Sequence, residues 1–142
     1  MRFFDYRFTV SFEETNVVGN VYFANYFVWQ GKCREQYLCE YAPGVLEDFK
    51  AGYGLITKGS SCEYHNESFA FQKILIQMSL EKLTRTGMSM LFDYYREEED
   101  GQRVLLAQGQ QSAIWVNPEH KVSMLPKYLY DGINDYGFFD ET

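Results

Sequence analysis

The sequence lacks any apolar stretch of 18 residues, so no part of it is expected to cross a membrane as a helix. Its first ten residues, MRFFDYRFTV, lack the apolar run of a signal peptide. There is no basic run and no nucleic-acid-binding motif. With 13 Lys and Arg against 20 Asp and Glu, the formal net charge of −7 argues against nucleic acid as a partner. Cysteine is scarce and odd in number. Cys33, Cys39 and Cys62 match no zinc spacing, so no metal or other cofactor is expected, and a reducing cytoplasmic setting suits them. His65 and His120 stand apart from any Cys or Asp that would make a catalytic pair, and both are expected to be structural or exposed.

Aromatic residues are plentiful. Twelve Tyr and twelve Phe help bring the aromatic fraction to 18%, enough for a core, a subunit interface and an aromatic-lined cavity. A length of 142 residues is expected to form a single domain, residues 1–142, with 118–142 as a C-terminal extension.

Residues 3–12 alternate and are rich in aromatic and β-branched types, which predicts a first strand. A polar, glycine-containing loop follows and feeds a long helix that begins between Val21 and Tyr26, with Asn20 and Asn25 as the expected N-caps. Pro43–Gly44 ends that helix near Tyr41, and Val45–Ala51 adds one further helical turn. A strand is predicted over Gly54–Tyr64, then a connection over Asn66–Gln72. Three long strands come next. Lys73–Thr84 places Ile74, Ile76, Met78 and Leu80 on one face, and Met88–Arg96 groups Met88, Met90, Phe92 and Tyr94. The charged EEEDG tip turns the chain into Gln102–Val116, where Val104, Leu106, Ile114 and Val116 are expected in phase, interrupted by Gln108, Gln110 and Ser112. A short helix after Pro126 and an acidic tail, expected to be mobile, complete the chain. Long antiparallel strands with one apolar face, plus one helix apolar over most of its surface, predict an α+β fold with a sheet curled round a central helix.

That helix carries the first functional clue. At 100° per residue, Tyr26, Trp29, Gln30, Cys33, Tyr37 and Tyr41 share one wedge, which Phe27 and Leu38 widen to about 120° on one side. Arg34 falls near 80°, inside the apolar arc. A guanidinium facing a core is costly unless paired or given a task. Cys33, on the same face, reads as a small core residue. The loop before the helix carries the second clue: the first turn's unpaired N–H groups, aimed at Asn16–Gly19, suit an anion or a developing oxyanion.

The element order β-loop-α-β-β-β-β, with the loop ETNVVGNVYFANY, resembles the hot-dog-fold acyl thioesterases of the 4-hydroxybenzoyl-CoA thioesterase type. Their loop reads D-x-x-G-x-V-Y-x-x-x-Y, matched here by Gly19, Val21, Tyr22 and Tyr26, with Asn16 in place of the aspartate. The run W-Q-G-x-C-R-E at Trp29–Glu35 and the asparagine are closer still to the thioesterases of enediyne polyketide biosynthesis. In that subgroup, the resemblance implies, the arginine matching Arg34 belongs to the active site. It also implies a homodimer or homotetramer, and Gly19, Val21, Tyr22 and Trp29 at the substrate.

The asparagine has a chemical consequence. A carboxylate at position 16 would serve as nucleophile or general base, whereas an amide orients water or donates a hydrogen bond. Electrostatic catalysis is therefore expected, with Asn16, Arg34 and helix-start N–H groups, notably that of Phe23, stabilising the oxyanion and Tyr26 bonding within the cluster. Glu67, in the connection where some hot-dog thioesterases place their acid, is the reserve base. Glu35 lies opposite Tyr26 and reads as surface or subunit interface. Hot-dog dehydratases require a histidine in a proline-rich loop, which is absent here. The resulting expectation is hydrolysis of a polyene or β-keto polyketide chain on the acyl carrier domain of an iterative polyketide synthase. Hydrolysis of an acyl- or aryl-CoA is the alternative within enzymes, and a non-catalytic acyl-binding protein is the alternative outside them.

Overall fold

The computed structural model describes residues 2–137; the short helix after Pro126 runs on through Asp135–Gly137, the first residues of the expected tail, and residues 138–142 lie outside the described residues. Five strands, β1 (Phe4–Thr9), β2 (Gly54–Tyr64), β3 (Lys73–Leu83), β4 (Gly87–Glu97) and β5 (Arg103–Val116), form one sheet in the order β1-β3-β4-β5-β2. Every neighbouring pair is antiparallel. Three register shifts, at Thr57/Gly59, Leu80/Lys82 and Tyr94/Tyr95, bend the long strands. The long helix α1 (Asn25–Tyr41) packs on one face, with α2 (Val45–Lys50) after it and α3 (Lys127–Gly137) at the described C-terminal end. This is the hot-dog fold.

The first strand is shorter than expected, because a 3₁₀ turn at Phe12–Glu14 takes over after Val10. Along α1 the predicted wedge is the buried one: Tyr26, Trp29, Gln30, Cys33, Tyr37 and Leu38 are covered by the sheet. Tyr41, expected in the same wedge, is instead exposed at the last turn of the helix, and Val28 on the far side is exposed because a single sheet covers only one side of a helix. Cys33 is fully buried, and burial pushes its thiol well above the usual range, as befits a core residue.

In β3 the predicted face, Ile74, Ile76, Met78 and Leu80, is buried, and Leu75 and Ser79 on the other face are covered as well. The predicted phase of β5 is wrong. Leu106 is the extra residue opposite Tyr94 and Tyr95, so the strand changes phase there. Beyond the bulge Ala107, Gln111, Ala113 and Trp115 are buried, and Ile114 pairs beside Gly87 on the opposite face. Gly109 belongs to the helix-facing set for a steric reason. A Cβ there would stand 2.4 Å from the Gln30 Nε2 and 3.0 Å from the Ser61 carbonyl oxygen. Gln30 is fully buried and donates to that same carbonyl at 3.0 Å. Gly109→Ala is therefore expected to destabilise the fold by about 1–3 kcal/mol in denaturant unfolding, with the m-value unchanged.

Candidate active site

Residues Thr15–Val21 form a small hairpin, closed by a bridge between Thr15 and Val21. The Asn16 carbonyl accepts the Gly19 N–H at 2.9 Å, and Gly19 takes φ +94°, a left-handed conformation that suits glycine. Val17 and Val18 occupy the exposed tip. The returning arm lies against the 67–69 segment: Asn20 bridges Phe69, and the Val21 N–H donates to the Ser68 carbonyl at 2.8 Å.

Neither asparagine caps the helix as expected. The N-cap position is Ala24, with no side-chain cap. Asn25 donates its amide to the Glu14 carbonyl at 2.8 Å, and Asn20 donates to the Glu67 carboxylate at 2.9 Å. Both side chains tie segments together across the loop. The helix instead begins with tight i→i+3 turns, Asn25 N–H to Tyr22, Tyr26 N–H to Phe23 and Phe27 N–H to Ala24. Among the described residues, the N–H groups of Phe23 and Ala24 find no acceptor. The donors expected at the helix start are thus free.

Of the two, Phe23 lines a cleft of about 250 Å³, together with Asn20, Val21, Tyr26, Tyr64, His65, Asn66, Glu67 and Ser68. Aromatic rings build its walls. Tyr26 meets Tyr64 edge-on at 5.0 Å and lies 5.2 Å from Tyr94. The Tyr64 hydroxyl donates to the Phe23 carbonyl at 2.9 Å, and the Tyr26 hydroxyl shares a 2.9 Å hydrogen bond with Ser68. Burial raises the Tyr26 phenol above its ordinary value, against the opposing effect of the Ser68 contact. Tyr26 therefore stays a neutral hydrogen-bonding group.

Glu67 brings a carboxylate into this cleft. A chain of amides leads to it: Asn16 Nδ2 donates to Asn20 Oδ1 at 3.1 Å, and Asn20 Nδ2 donates to Glu67 Oε1 at 2.9 Å. Asn16 itself is not among the residues that line the cleft. Of the other expected residues, Val21 lines the cleft and Gly19 shapes the hairpin. Tyr22 packs outside, 5.0 Å from the Phe23 ring. Trp29 is buried beneath, its indole N–H donating to the Glu14 carboxylate at 2.7 Å. Burial would raise the Glu14 carboxyl, but hydrogen bonds from Ser11 and Trp29 outweigh it and hold the group below its usual value. Glu14 is a brace between the loop and α1. Glu35 is exposed, as expected.

Arg34 is not at the cleft. Nine residues of helix separate it from Asn25, about 13 Å of axial rise. Its Nη1 donates to Gln111 Oε1 at 2.8 Å and to Thr57 Oγ1 at 3.0 Å, and its Nη2 to the Leu55 carbonyl at 3.4 Å. Its buried Nε has no partner among the described residues. All three acceptors are neutral, and burial lowers the guanidinium's affinity for its proton. The neighbouring Glu35 carboxylate offsets only part of this, and the charge sits beside the edge strand β2.

Sequence reasoning missed Tyr64, Ser68 and the bridging role of Asn20. Only the fold brings the end of β2 and the 67–69 segment to the start of α1, and no local pattern marks them. No group of three His, Cys, Asp or Glu among the described residues is placed to hold a metal, and no described helix is long and apolar enough to cross a membrane.

Residues 10–132 match the model of the thioesterase-like superfamily. The chain is 35% identical to the dynemicin thioesterase, whose crystal structures revealed induced-fit and allosteric effects upon polyene binding. The match covers 96% of this chain and 98% of that one, with a TM-score of 0.88. Gentisyl-coenzyme A thioesterase shares the fold at 19% identity, covering 91% of this chain and 98% of its own with a TM-score of 0.81. So does a 1,4-dihydroxy-2-naphthoyl-CoA thioesterase from Synechocystis, at 20% identity, 94% and 97% coverage and a TM-score of 0.75. No curated protein sequence matches the chain.

Proposed function

This chain belongs to the thioesterase-like superfamily and is a thioester hydrolase, and on that premise we propose that it releases a polyene or β-keto polyketide chain from the acyl carrier domain of an iterative polyketide synthase in enediyne biosynthesis. The observation that carries this reading is the 35% identity to the dynemicin thioesterase over 96% of the chain. The aromatic walls of the cleft agree with it, because the flat rings of Phe23, Tyr26 and Tyr64 offer faces and edges to a conjugated chain.

In the proposed reaction the thioester carbonyl oxygen rests at the start of α1, where the Phe23 N–H receives the developing negative charge. Glu67 accepts a proton from water as the water oxygen bonds to the carbonyl carbon. The carbon–sulfur bond then breaks, and the carrier thiolate leaves with that proton. The products are a carboxylic acid and a free thiol. Tyr26 and Ser68 hold one wall, and Gly19 and Val21 shape the hairpin that closes the cleft.

Arg34 enters through a second copy of the chain. The edge strand β2 exposes most of its 11 residues and offers unpaired backbone groups for pairing. Arg34 lies directly behind that edge, so pairing there would bring its charge towards the neighbouring copy's site.

Turnover of one polyene acyl chain, presented on a carrier domain and on CoA, tests the substrate. The carrier-bound form is expected to be favoured in kcat/KM by at least about tenfold, about 1.4 kcal/mol. Equal or better use of CoA would move the enzyme to acyl-CoA metabolism, and binding without turnover would make it an acyl-binding protein.

A further inference from the structure

We propose that Gln111 is a positioning residue for Arg34: held by Gln30 in a buried amide relay, it orients the guanidinium behind the β2 edge without neutralising it. The inference rests on the reading of Arg34 as a donor to the thioester in a neighbouring copy's site. Gln30 and Gln111 are both buried between α1 and the sheet, where an amide left without partners is costly. Their contacts form one directed chain. Gln30 Nε2 donates to the Ser61 carbonyl at 3.0 Å, Gln111 Nε2 to Gln30 Oε1 at 3.4 Å, and Arg34 Nη1 to Gln111 Oε1 at 2.8 Å. The Ser60 hydroxyl also donates to Gln30 Oε1, at 2.9 Å, and the strand register pairs Ser60 with Gln111.

The two ends of the chain fix which way each amide faces. A backbone carbonyl only accepts, so Gln30 turns its nitrogen to Ser61 and its oxygen to Gln111. A guanidinium only donates, so Gln111 turns its oxygen to Arg34 and its nitrogen to Gln30. Neither amide can turn over without setting oxygen against oxygen and N–H against N–H. Along α1, Gln30 stands four residues before Arg34, on the same face and one turn away. The helix and the sheet thus present matching ends of one relay.

The chemistry of the acceptors matters as much as their direction. Among the described residues, Arg34 donates only to Gln111, Thr57 and the Leu55 carbonyl, all neutral. Glu35, the next residue, is exposed and acts on it only through space. A carboxylate at 111 would also orient the guanidinium, but it would cancel the charge that a developing oxyanion needs. An amide supplies the aim and leaves the charge. The buried Arg34 Nε–H, which has no partner among the described residues, reports on this arrangement.

The test follows the Arg34 Nε–H by proton–nitrogen NMR, assigned by its loss in Arg34→Lys, together with kcat and KM on an acyl thioester. Gln111→Met keeps the length of the side chain and removes the amide. In that variant the Nε–H is expected to exchange with water roughly tenfold faster. Its kcat should fall about a hundredfold with KM little changed, as for a catalytic group displaced by about 1 Å. Gln111→Glu separates positioning from bracing, and it decides the matter if Gln111→Met does not fold. Its carboxylate still accepts from Arg34, so the Nε–H should stay protected while kcat falls at least about tenfold. The double variant Gln30→Met/Gln111→Met should lose no more in kcat than Gln111→Met alone. Near-normal kcat in Gln111→Glu overturns the proposal, as does an unchanged Nε–H in Gln111→Met. Undiminished turnover by Arg34→Ala would instead remove the reading beneath it, while the Nε–H signal would still decide whether Gln111 holds the side chain.

Discussion

Glu67→Gln is expected to keep the fold and lose about 10²–10⁴ in kcat, the usual contribution of a positioned general base. Glu67 is exposed at the cleft, and glutamine retains a side-chain oxygen for the Asn20 amide, so neither stability nor KM should change much. The turnover of this variant separates the two mechanisms open to this site. If the variant instead turned over at nearly the wild-type rate, water would be activated without a carboxylate. Catalysis would then rest on donors alone, namely the Phe23 N–H and Arg34.

Arg34→Ala carries the second large effect, a loss of about 10²–10³ in kcat if the guanidinium stabilises the oxyanion. The same substitution leaves Gln111, Thr57 and Leu55 without their shared donor, so some loss of stability must accompany it. Arg34→Lys separates the roles. A lysine carries the charge but lacks the planar fork, so it should restore stability only in part and activity hardly at all. A variant with near-normal kcat and a lowered Tm would make Arg34 a brace between α1 and β2. Because Arg34 stands about 13 Å of helix away from the cleft of its own chain, its catalytic role also requires assembly. A fully active, stable monomer of 16.7 kDa in light scattering would exclude it.

Position 16 shows how a local motif can be legible while its meaning is not. The motif ETNVVGNVYFANY identified the loop, the helix entry and the amide in place of an acid. From sequence, Asn16 read as a donor aimed at the substrate. In the structure its amide points to Asn20, and the acid that enters the cleft is Glu67, 51 positions further along the chain. Spacing cannot reveal such a neighbour, because the contact depends on the hairpin arm lying beside the 67–69 segment.

Local periodicity did determine the elements. The 100° pattern marked the face of α1 that is buried, and it singled out Arg34 as a cation on that face. Small, β-branched and polar residue types marked β2 at Gly54–Tyr64, and alternation the inward residues of β3, since each side chain's direction in a regular strand or helix depends only on its place along the backbone. Prolines and the Asp-Gly turn marked the ends. Tertiary structure decided what depends on partners distant in sequence. A one-residue bulge opposite Tyr94 and Tyr95 reversed the expected phase of β5. Loop closure drew Asn20 and Asn25 away from the helix end towards Glu67 and Glu14. Sheet order put Tyr64 beside Phe23, and Arg34 behind an open edge. In each of these cases the alternatives were locally similar in energy, and packing across the sheet selected among them.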